Sequence, residues 1–395
     1  MGLFNRKTSK QEDQEILNAQ KEKVKWSKRP ANTAFKQQRL KAWQPILTPA
    51  TVLPTFFLIG VIFAPLGGVL LWGSNQVKEF TIDYTDCPTS ALTNSWSNIP
   101  PSKFNYRGFE NADVAAPLWL YSSTNVTTGV EAATANRCFL QFNVPQEMGS
   151  PVFMYYKLTN YYQNHRRYVK SIDSNQLLGN AVSSSSISGG TCQPVDVLNG
   201  KIVYPCGLIA NSVFNDTFLI PTMTEDSTGA AVNTTYNMTD RGIAWPGEAK
   251  KYGTTKYNPS EIIPPPFWQN RFPDGYSEGN IPDLHTDEHF QVWMRTAGLP
   301  TFRKLYFRND NEPLRAGKYE MSVYMNYPVA PFGGTKSIVF STVSFIGGKN
   351  AFLGIAYLAV GGLCVLLGLV LTARHCIKPR KLGDMTRLSW NQPKK

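Results

Sequence analysis

Residues 51–73 read TVLPTFFLIGVIFAPLGGVLLWG, and residues 351–373 read AFLGIAYLAVGGLCVLLGLVLTA. Neither stretch holds an Asp, Glu, Lys or Arg. About 20 helical residues, at roughly 1.5 Å each, cross a hydrocarbon core of about 30 Å. Each stretch is therefore long enough to span a membrane. The chain divides into an N-terminal tail (1–50), a first transmembrane helix (51–73), a large middle segment (74–350), a second transmembrane helix (351–373) and a C-terminal tail (374–395). With two spans, the middle lies on one side of the membrane and both tails on the other. The apolar core of a cleaved signal peptide lies within about the first 15–30 residues. Here the polar tail precedes it, so the first span reads as a retained anchor. Arg6 stands where a myristoylation site wants Ser or Thr, so no lipid anchor is implied.

The net charge of +12 would suit a nucleic-acid binder, but its distribution argues otherwise. Residues 1–50 carry +7, residues 374–395 carry +6, and residues 74–350 carry −1. The excess flanks the two spans. Positive flanks stay cytoplasmic, so both termini are expected in the cytosol and the middle in a lumen or outside the cell. Juxtamembrane Lys and Arg also attract anionic headgroups, which makes membrane phospholipids an expected partner. The middle segment shows no basic stripe interleaved with stacking aromatics, so no nucleic-acid partner is expected.

Cysteine use agrees with this sidedness. Cys87, Cys138, Cys192 and Cys206 all fall in the middle, an even number in an oxidising compartment. Four cysteines allow three pairings; proximity in sequence favours Cys87 with Cys138 and Cys192 with Cys206. Cys364 lies within the second span and reads as a small apolar residue. Cys376, just beyond it in a basic setting, reads as a plain cytosolic thiol before a palmitoylation site. N-glycosylation sequons begin at Asn125, Asn215, Asn233 and Asn237, all in the middle segment. No cofactor is expected beyond N-linked glycans.

The middle segment is long enough to bury a core of its own. Leu140, Phe142 and Val144 alternate with polar residues. Tyr319, Met321, Val323, Met325 and Tyr327 do the same, and Ile338, Phe340 and Thr342 follow a turn at Gly333-Gly334. Period-two patterns broken by Gly, Pro and Asn predict an antiparallel, β-rich ectodomain. One helix is predicted, with Thr286 as N-cap, Asp287 and Glu288 in its first turn, Phe290, Trp293 and Met294 buried, and Gly298 as terminator. Pro264-Pro265-Pro266 reads as an extended connector. The fold class is therefore a membrane protein with two transmembrane helices and one large α+β, sheet-dominated ectodomain. Within the spans, Gly60 and Gly67 recur at heptad spacing, as do Gly354, Gly361 and Gly368. Such stripes let helix backbones approach closely, against the other span or against a second protein. Pro54 and Pro65 are expected to bend the first span.

Catalytic patterns are sparse. His285-Thr-Asp-Glu-His289 fits the H-x-x-E-H form of some zinc hydrolases. However, His285 falls before the predicted N-cap, and no third ligand stands at a recognisable offset. The weightier reading is an acidic helix start. There is no GxxxxGK[ST] phosphate loop, no G-x-S-x-G elbow and no Asp-Lys-Thr-Gly phosphorylation motif. Neither span carries a charge that could serve an ion path. Taken alone, these features imply no enzyme. An ectoenzyme anchored at both ends and a two-span receptor remain the rival readings.

Six stretches carry a family resemblance: FKQQRLKAWQPILTP (35–49), YKLTNYYQNHRRYVKS (156–171), YPCGLIANSVFNDTF (204–218), FPDGY (272–276), FQVWMRTA (290–297) and FGGTKSIVFSTVSFIGGKN (332–350). Their order resembles the two-span, glycosylated β-subunits of the phospholipid-flipping P-type ATPases, in their fungal form. The resemblance implies a non-catalytic accessory subunit. Its partner would be the catalytic P-type ATPase, in a heterodimer, which alone hydrolyses ATP and moves the lipid from the exoplasmic to the cytoplasmic leaflet. The subunit would serve the pump's folding, its exit from the endoplasmic reticulum and its transport cycle. The implied location is a membrane of the secretory or endosomal pathway: endoplasmic reticulum, Golgi, endosome or plasma membrane. The family's cysteine pattern maps onto Cys87–Cys138 and Cys192–Cys206. Asn215, inside the signature, is the sequon it singles out. By its physics, the strip before the first span reads as a membrane-entry segment, with Trp43 at the interface. The resemblance turns it into a docking strip, with Phe35, Gln38, Arg39, Leu40 and Trp43 as contacts and Gly354, Gly361 and Gly368 as a partner-facing seam.

Overall fold

The computed structural model describes residues 14, 31–42, 47–109, 114–124, 135–379, 385 and 388–392. It divides into two units, Met1–Ile59 with Cys364–Lys395, and Gly60–Leu363. The two apolar stretches form long helices, α1 (Pro49–Asn75) and, at the other end, α4 (Phe352–Ile377). Both are long and apolar enough to cross a membrane, and most of their surface is exposed. Helix α1 runs unbroken through Pro54 and Pro65.

Strand alternation in the middle segment builds two large antiparallel sheets. The first has five strands in the order β13 (Phe302–Asn309), β6 (Val152–Leu158), β15 (Lys336–Thr342), β1 (Glu79–Asp83) and β3 (Phe104–Arg107). The second runs β11 (Ala231–Thr235), β10 (Thr222–Asp226), β14 (Gly317–Tyr324), β5 (Asn136–Val144), β4 (Leu118–Ser123) and β2 (Ser97–Asn98), with β9 (Thr217–Phe218) also on β14. A small third sheet joins β12 (Ile262–Ile263), β8 (Lys201–Val203) and β7 (Val197–Leu198). There the antiparallel expectation fails locally, because β12 pairs with β8 in parallel. The connector Pro264–Pro266 leads on from β12 into a short turn of helix at Pro266–Trp268.

Phe80 on β1 stands opposite Phe340 on β15, and Phe142 on β5 opposite Tyr319 on β14. The rings of Phe80 and Phe142 then meet across the two sheets at 5.2 Å, and those of Phe142 and Phe340 at 5.7 Å. All four aromatics are buried. Cross-strand aromatic pairs are a main unit of sheet stabilisation, and here two such pairs interlock as the core between the sheets. Strand β15 departs from simple alternation. It is buried along its whole length, Lys336 and Ser337 included; on its outer face Ser337 and Val339 line a groove bordered by the longer side chains of Glu79, Arg107, Lys157 and Arg303.

The predicted helix forms as α3 (Glu288–Met294), with its start shifted by one residue and its end drawn in. Asp287, not Thr286, is the N-cap, its carboxylate accepting from the Phe290 amide at 2.9 Å. The Thr286 hydroxyl instead donates back to Asp283. The helix stops at Met294, four residues short of Gly298, because Arg295 turns extended.

Candidate interaction site

The signature YPCGLIANSVFNDTF is where the separated motifs meet. It contains a four-residue helix, α2 (Leu208–Asn211), which is too short to satisfy its own backbone groups. Side chains from elsewhere do so. The indole Nε1 of Trp293 donates to the Ile209 carbonyl at 2.8 Å, and that of Trp268 to the Ala210 carbonyl at 3.0 Å. Ser171 Oγ accepts the Leu208 amide at 2.8 Å. The Tyr276 hydroxyl donates to the Tyr204 carbonyl at 2.7 Å. Gln176, fully buried, donates to the Val203 carbonyl and accepts from the Cys206 amide. Gly207 has φ of +99°, and a Cβ there would sit 2.1 Å from the Ser171 carbonyl oxygen, so only glycine fits.

The end of the signature alternates. Phe214, Asp216 and Phe218 are buried, while Asn215 and Thr217 are exposed. Asp216 is therefore a carboxylate placed on an inward face. Lys336 meets it at 2.7 Å, with side chains 0 % and 5 % exposed. The Tyr84 hydroxyl donates to Asp216 Oδ2 at 2.8 Å, and the Asn326 and Tyr327 amides donate to Oδ1 at 2.5 and 2.6 Å. Lys336 also donates to the Tyr327 carbonyl at 2.8 Å. Burial first, and the Asp216 charge second, push the Tyr84 hydroxyl up, so it stays a donor. Charge and lone pairs are thus answered inside the core, which is the condition under which a buried ion pair is tolerated. Phe214 stacks on Tyr156 with ring centres 3.9 Å apart. Sequence reasoning missed this pair. The signal was present in Phe-Asn-Asp-Thr-Phe: strand alternation that puts an acid on the apolar face demands a buried partner.

The candidate zinc residues go elsewhere. His285 lies before α3, and its Nδ1 contacts the carbonyls of Ala249 and Tyr252. His289 is stacked on Tyr306 at 4.1 Å, and burial holds its imidazole below the usual range. Among the described residues, no group of three or more His, Cys, Asp or Glu is placed to hold a metal. The last turn of α3 is capped by Lys304, whose Nζ bonds the carbonyls of Val292, Trp293 and Arg295. Burial pushes this ammonium down to about 7 from 10.5, with the Arg295 charge acting in the same direction. From about pH 7 to 9 the unfolded chain therefore binds more protons at this residue than the folded one, and its contribution to stability rises with pH. In a series of melts, Lys304→Met should flatten that rise; an unchanged slope would assign the pH dependence elsewhere.

The disulfides form as Cys87–Cys138 and Cys192–Cys206, while Cys364 and Cys376 are free and Cys376 is exposed. The glycine stripe is corrected in its target. In the larger unit, a Cβ on Gly354 would lie 2.8 Å from the Leu71 amide, and one on Gly361 would lie 3.0 Å from that of Ala64. In the smaller unit, one on Gly368 would meet the Phe57 ring at 3.2 Å. Gly354, Gly361 and Gly368 thus use their missing side chains to seat the chain's own first span, not a partner. Gly361→Leu should destabilise this helix pair by about 1–3 kcal/mol through overpacking. The adjacent Gly362, with nothing within 4 Å of a Cβ, is the control. Melting of the detergent-purified chain should drop for Gly361→Leu and stay put for Gly362→Leu.

In the strip before α1, Phe35 and Leu40 are exposed, Gln38 adopts positive φ, and the Arg39 guanidinium bonds the Asn32 side chain. Trp43 lies outside the described residues, as does the sequon Asn125. Asn215, Asn233 and Asn237 are all exposed.

The fold and these sites define a class: a protein whose chain carries a membrane-length helix before and after a disulfide-braced, sheet-rich domain, with the buried Asp216–Lys336 pair answered by the domain's own groups. The chain belongs to the CDC50 family, also described as the LEM3 (ligand-effect modulator 3) family, whose profile matches residues 70–381. It is 42% identical over 376 residues to the phospholipid-transporting ATPase accessory subunit CDC50 of Chaetomium thermophilum, with 92% of each chain covered. It is 41% identical over 392 residues to the accessory subunit CRF1 of Saccharomyces cerevisiae, covering 99% of this chain and 95% of that one. It is also 41% identical over 365 residues to cell cycle control protein 50A of Bos taurus, covering 87% and 88%.

Proposed function

We propose that this chain is the non-catalytic accessory subunit of a phospholipid-transporting P-type ATPase, acting on lipid transport only within that complex. The observation that carries the reading is the similarity along nearly the whole chain to proteins named as such subunits. The chemistry agrees, since Asp216, Lys336, Lys304 and His285 are engaged by the chain's own groups. Such a subunit works by binding energy: it favours pump conformations with which it makes better contacts. On this reading both termini are cytosolic, the two-sheet domain is lumenal or extracellular, and Asn125, Asn215, Asn233 and Asn237 carry glycans. The strip around Phe35, Gln38, Arg39, Leu40 and Trp43 docks on the cytosolic side of the pump.

The deciding experiment is to tag the chain, purify it from membranes and identify the large membrane protein that accompanies it. A P-type ATPase should appear, and the complex in liposomes should move phospholipid while the isolated chain does not. Lipid movement by the isolated chain would end this reading. Replacing Phe35, Leu40 and Trp43 together by alanine should lower recovery of the complex at least several-fold while both disulfides still form. Undiminished co-purification would remove the docking role of the strip and leave the subunit reading in place.

A further inference from the structure

Within the smaller unit, a groove of about 280 Å³ opens between the start of α1 and the end of α4. Its apolar part is Leu47, Val52, Leu53 and Leu371, and its polar end carries Arg374, His375 and Lys378. Among the described residues, no carboxylate lines it. Lys378 follows the last residue of α4, and its amide donates to the Arg374 carbonyl at 3.0 Å, so it stands one turn beyond Arg374, and both are exposed. Leu47 is 77 % exposed although it borders an apolar wall. The groove therefore changes from hydrocarbon-like to cationic along the helix axis, and the change falls where the uncharged stretch 351–373 ends.

We propose that this groove binds one anionic glycerophospholipid from the leaflet that faces the two termini. The phosphate would lie between Arg374 and Lys378, and the top of one acyl chain against Val52, Leu53 and Leu371. A guanidinium with a neighbouring ammonium is the donor set that grips phosphate oxygens. An acidic peptide would answer the charges but leave the apolar wall in contact with water or lipid. A lipid answers both, and its own polarity runs in the same direction as that of the groove. The volume lies near the lower end of small-ligand sites, about 300 Å³, which suits a headgroup and the start of one chain. The bland alternative is that Arg374 and Lys378 merely help to orient the span, as basic flanks do in general. The inference rests on the membrane-spanning reading above for its setting, though not for its chemistry.

The test uses the full-length chain in detergent, with retained lipid read by native mass spectrometry against added dioleoyl phosphatidic acid or dioleoyl phosphatidylcholine. Phosphatidic acid should be retained preferentially at one lipid per chain. Arg374→Gln with Lys378→Gln should cut that retention about thirtyfold, since the two juxtamembrane cations contribute about 1 kcal/mol each. Arg380→Gln with Lys381→Gln removes the same charge from the same tail and should leave retention unchanged. Val52→Trp, which fills the groove without touching charge, should also abolish it. An unchanged melting temperature in each variant confirms that folding is intact. Equal retention of the two lipids, or an equal loss in the Arg380/Lys381 variant, would overturn the proposal in favour of diffuse attraction. Displacement by glycerol 3-phosphate at matched concentration would overturn it in favour of a bare anion site. Because lipid is read on the purified chain, this outcome is independent of whether the termini prove cytosolic by protease protection or whether a pump co-purifies.

Discussion

Asp216→Ala should be among the most damaging single substitutions in the ectodomain. It strands the Lys336 ammonium in the core and removes the acceptor used by the Tyr84 hydroxyl and by two backbone amides. Removing one partner of a buried, hydrogen-bonded ion pair costs about 3–5 kcal/mol. That is a large share of a total stability of roughly 5–15 kcal/mol. The detergent-purified full-length chain should melt roughly 10 °C lower, or fail to accumulate. Asp216→Leu combined with Lys336→Met should recover part of the loss, because no charge is then left unpaired. The recovery should be incomplete, since the Tyr84 hydroxyl and the Asn326 and Tyr327 amides still lack their acceptor. The sequon survives in Asp216→Ala, since Asn215-Ala-Thr217 is still an acceptor site, so a lost glycan would not explain the defect. A melt within about 1 kcal/mol of the natural chain would refute the structural role assigned to the pair.

The second large effect concerns the two disulfides, and it is a prediction of order. Cys87 and Cys138 lie 51 residues apart, Cys192 and Cys206 only 14. If a cross-link acts mainly by restricting the unfolded chain, deleting the longer loop costs about 4 kcal/mol and the shorter about 3 kcal/mol. Both cysteines of a pair should be changed to alanine together, to avoid a stranded thiol. The Cys87–Cys138 deletion should also loosen more of the fold. Cys138 sits in β5, between β4 and β14 in the second sheet, whereas Cys192–Cys206 braces the entry to the signature. Denaturant titrations of the two double variants measure the order directly. A reversal by more than about 1 kcal/mol would mean that the native contacts held by the short bridge around Tyr204–Gly207 outweigh the difference in loop entropy.

Much of the architecture was legible because it follows from local patterns. Hydropathy alone marked α1 and α4, since a membrane-length run without charge has few other uses. Alternation marked β5, β14 and β15, because the pleat turns every second side chain to the same face. The end of α3 was misjudged because Arg295 turns extended at a point where no glycine or proline announces it. The direction of the glycine stripe was open because spacing shows that a backbone approaches but not whose it is. The docking strip was readable only through family resemblance. Its exposed Phe35 and Leu40 have no periodicity to separate a partner contact from a membrane-entry segment.

The sequence by itself determined the two apolar helices, the sheet-rich middle, the even cysteine set and the family, since each depends on composition or spacing along a single line. Only the tertiary structure decided what the signature is for. Ser171, Tyr276, Trp293 and Lys336 come from four separate stretches to satisfy one fifteen-residue segment, and Tyr84 reaches Asp216 across 132 positions. A buried donor must find its acceptor at hydrogen-bond distance, and which distant residue arrives there is set by sheet order and packing, not by any pattern that neighbours in the chain can display.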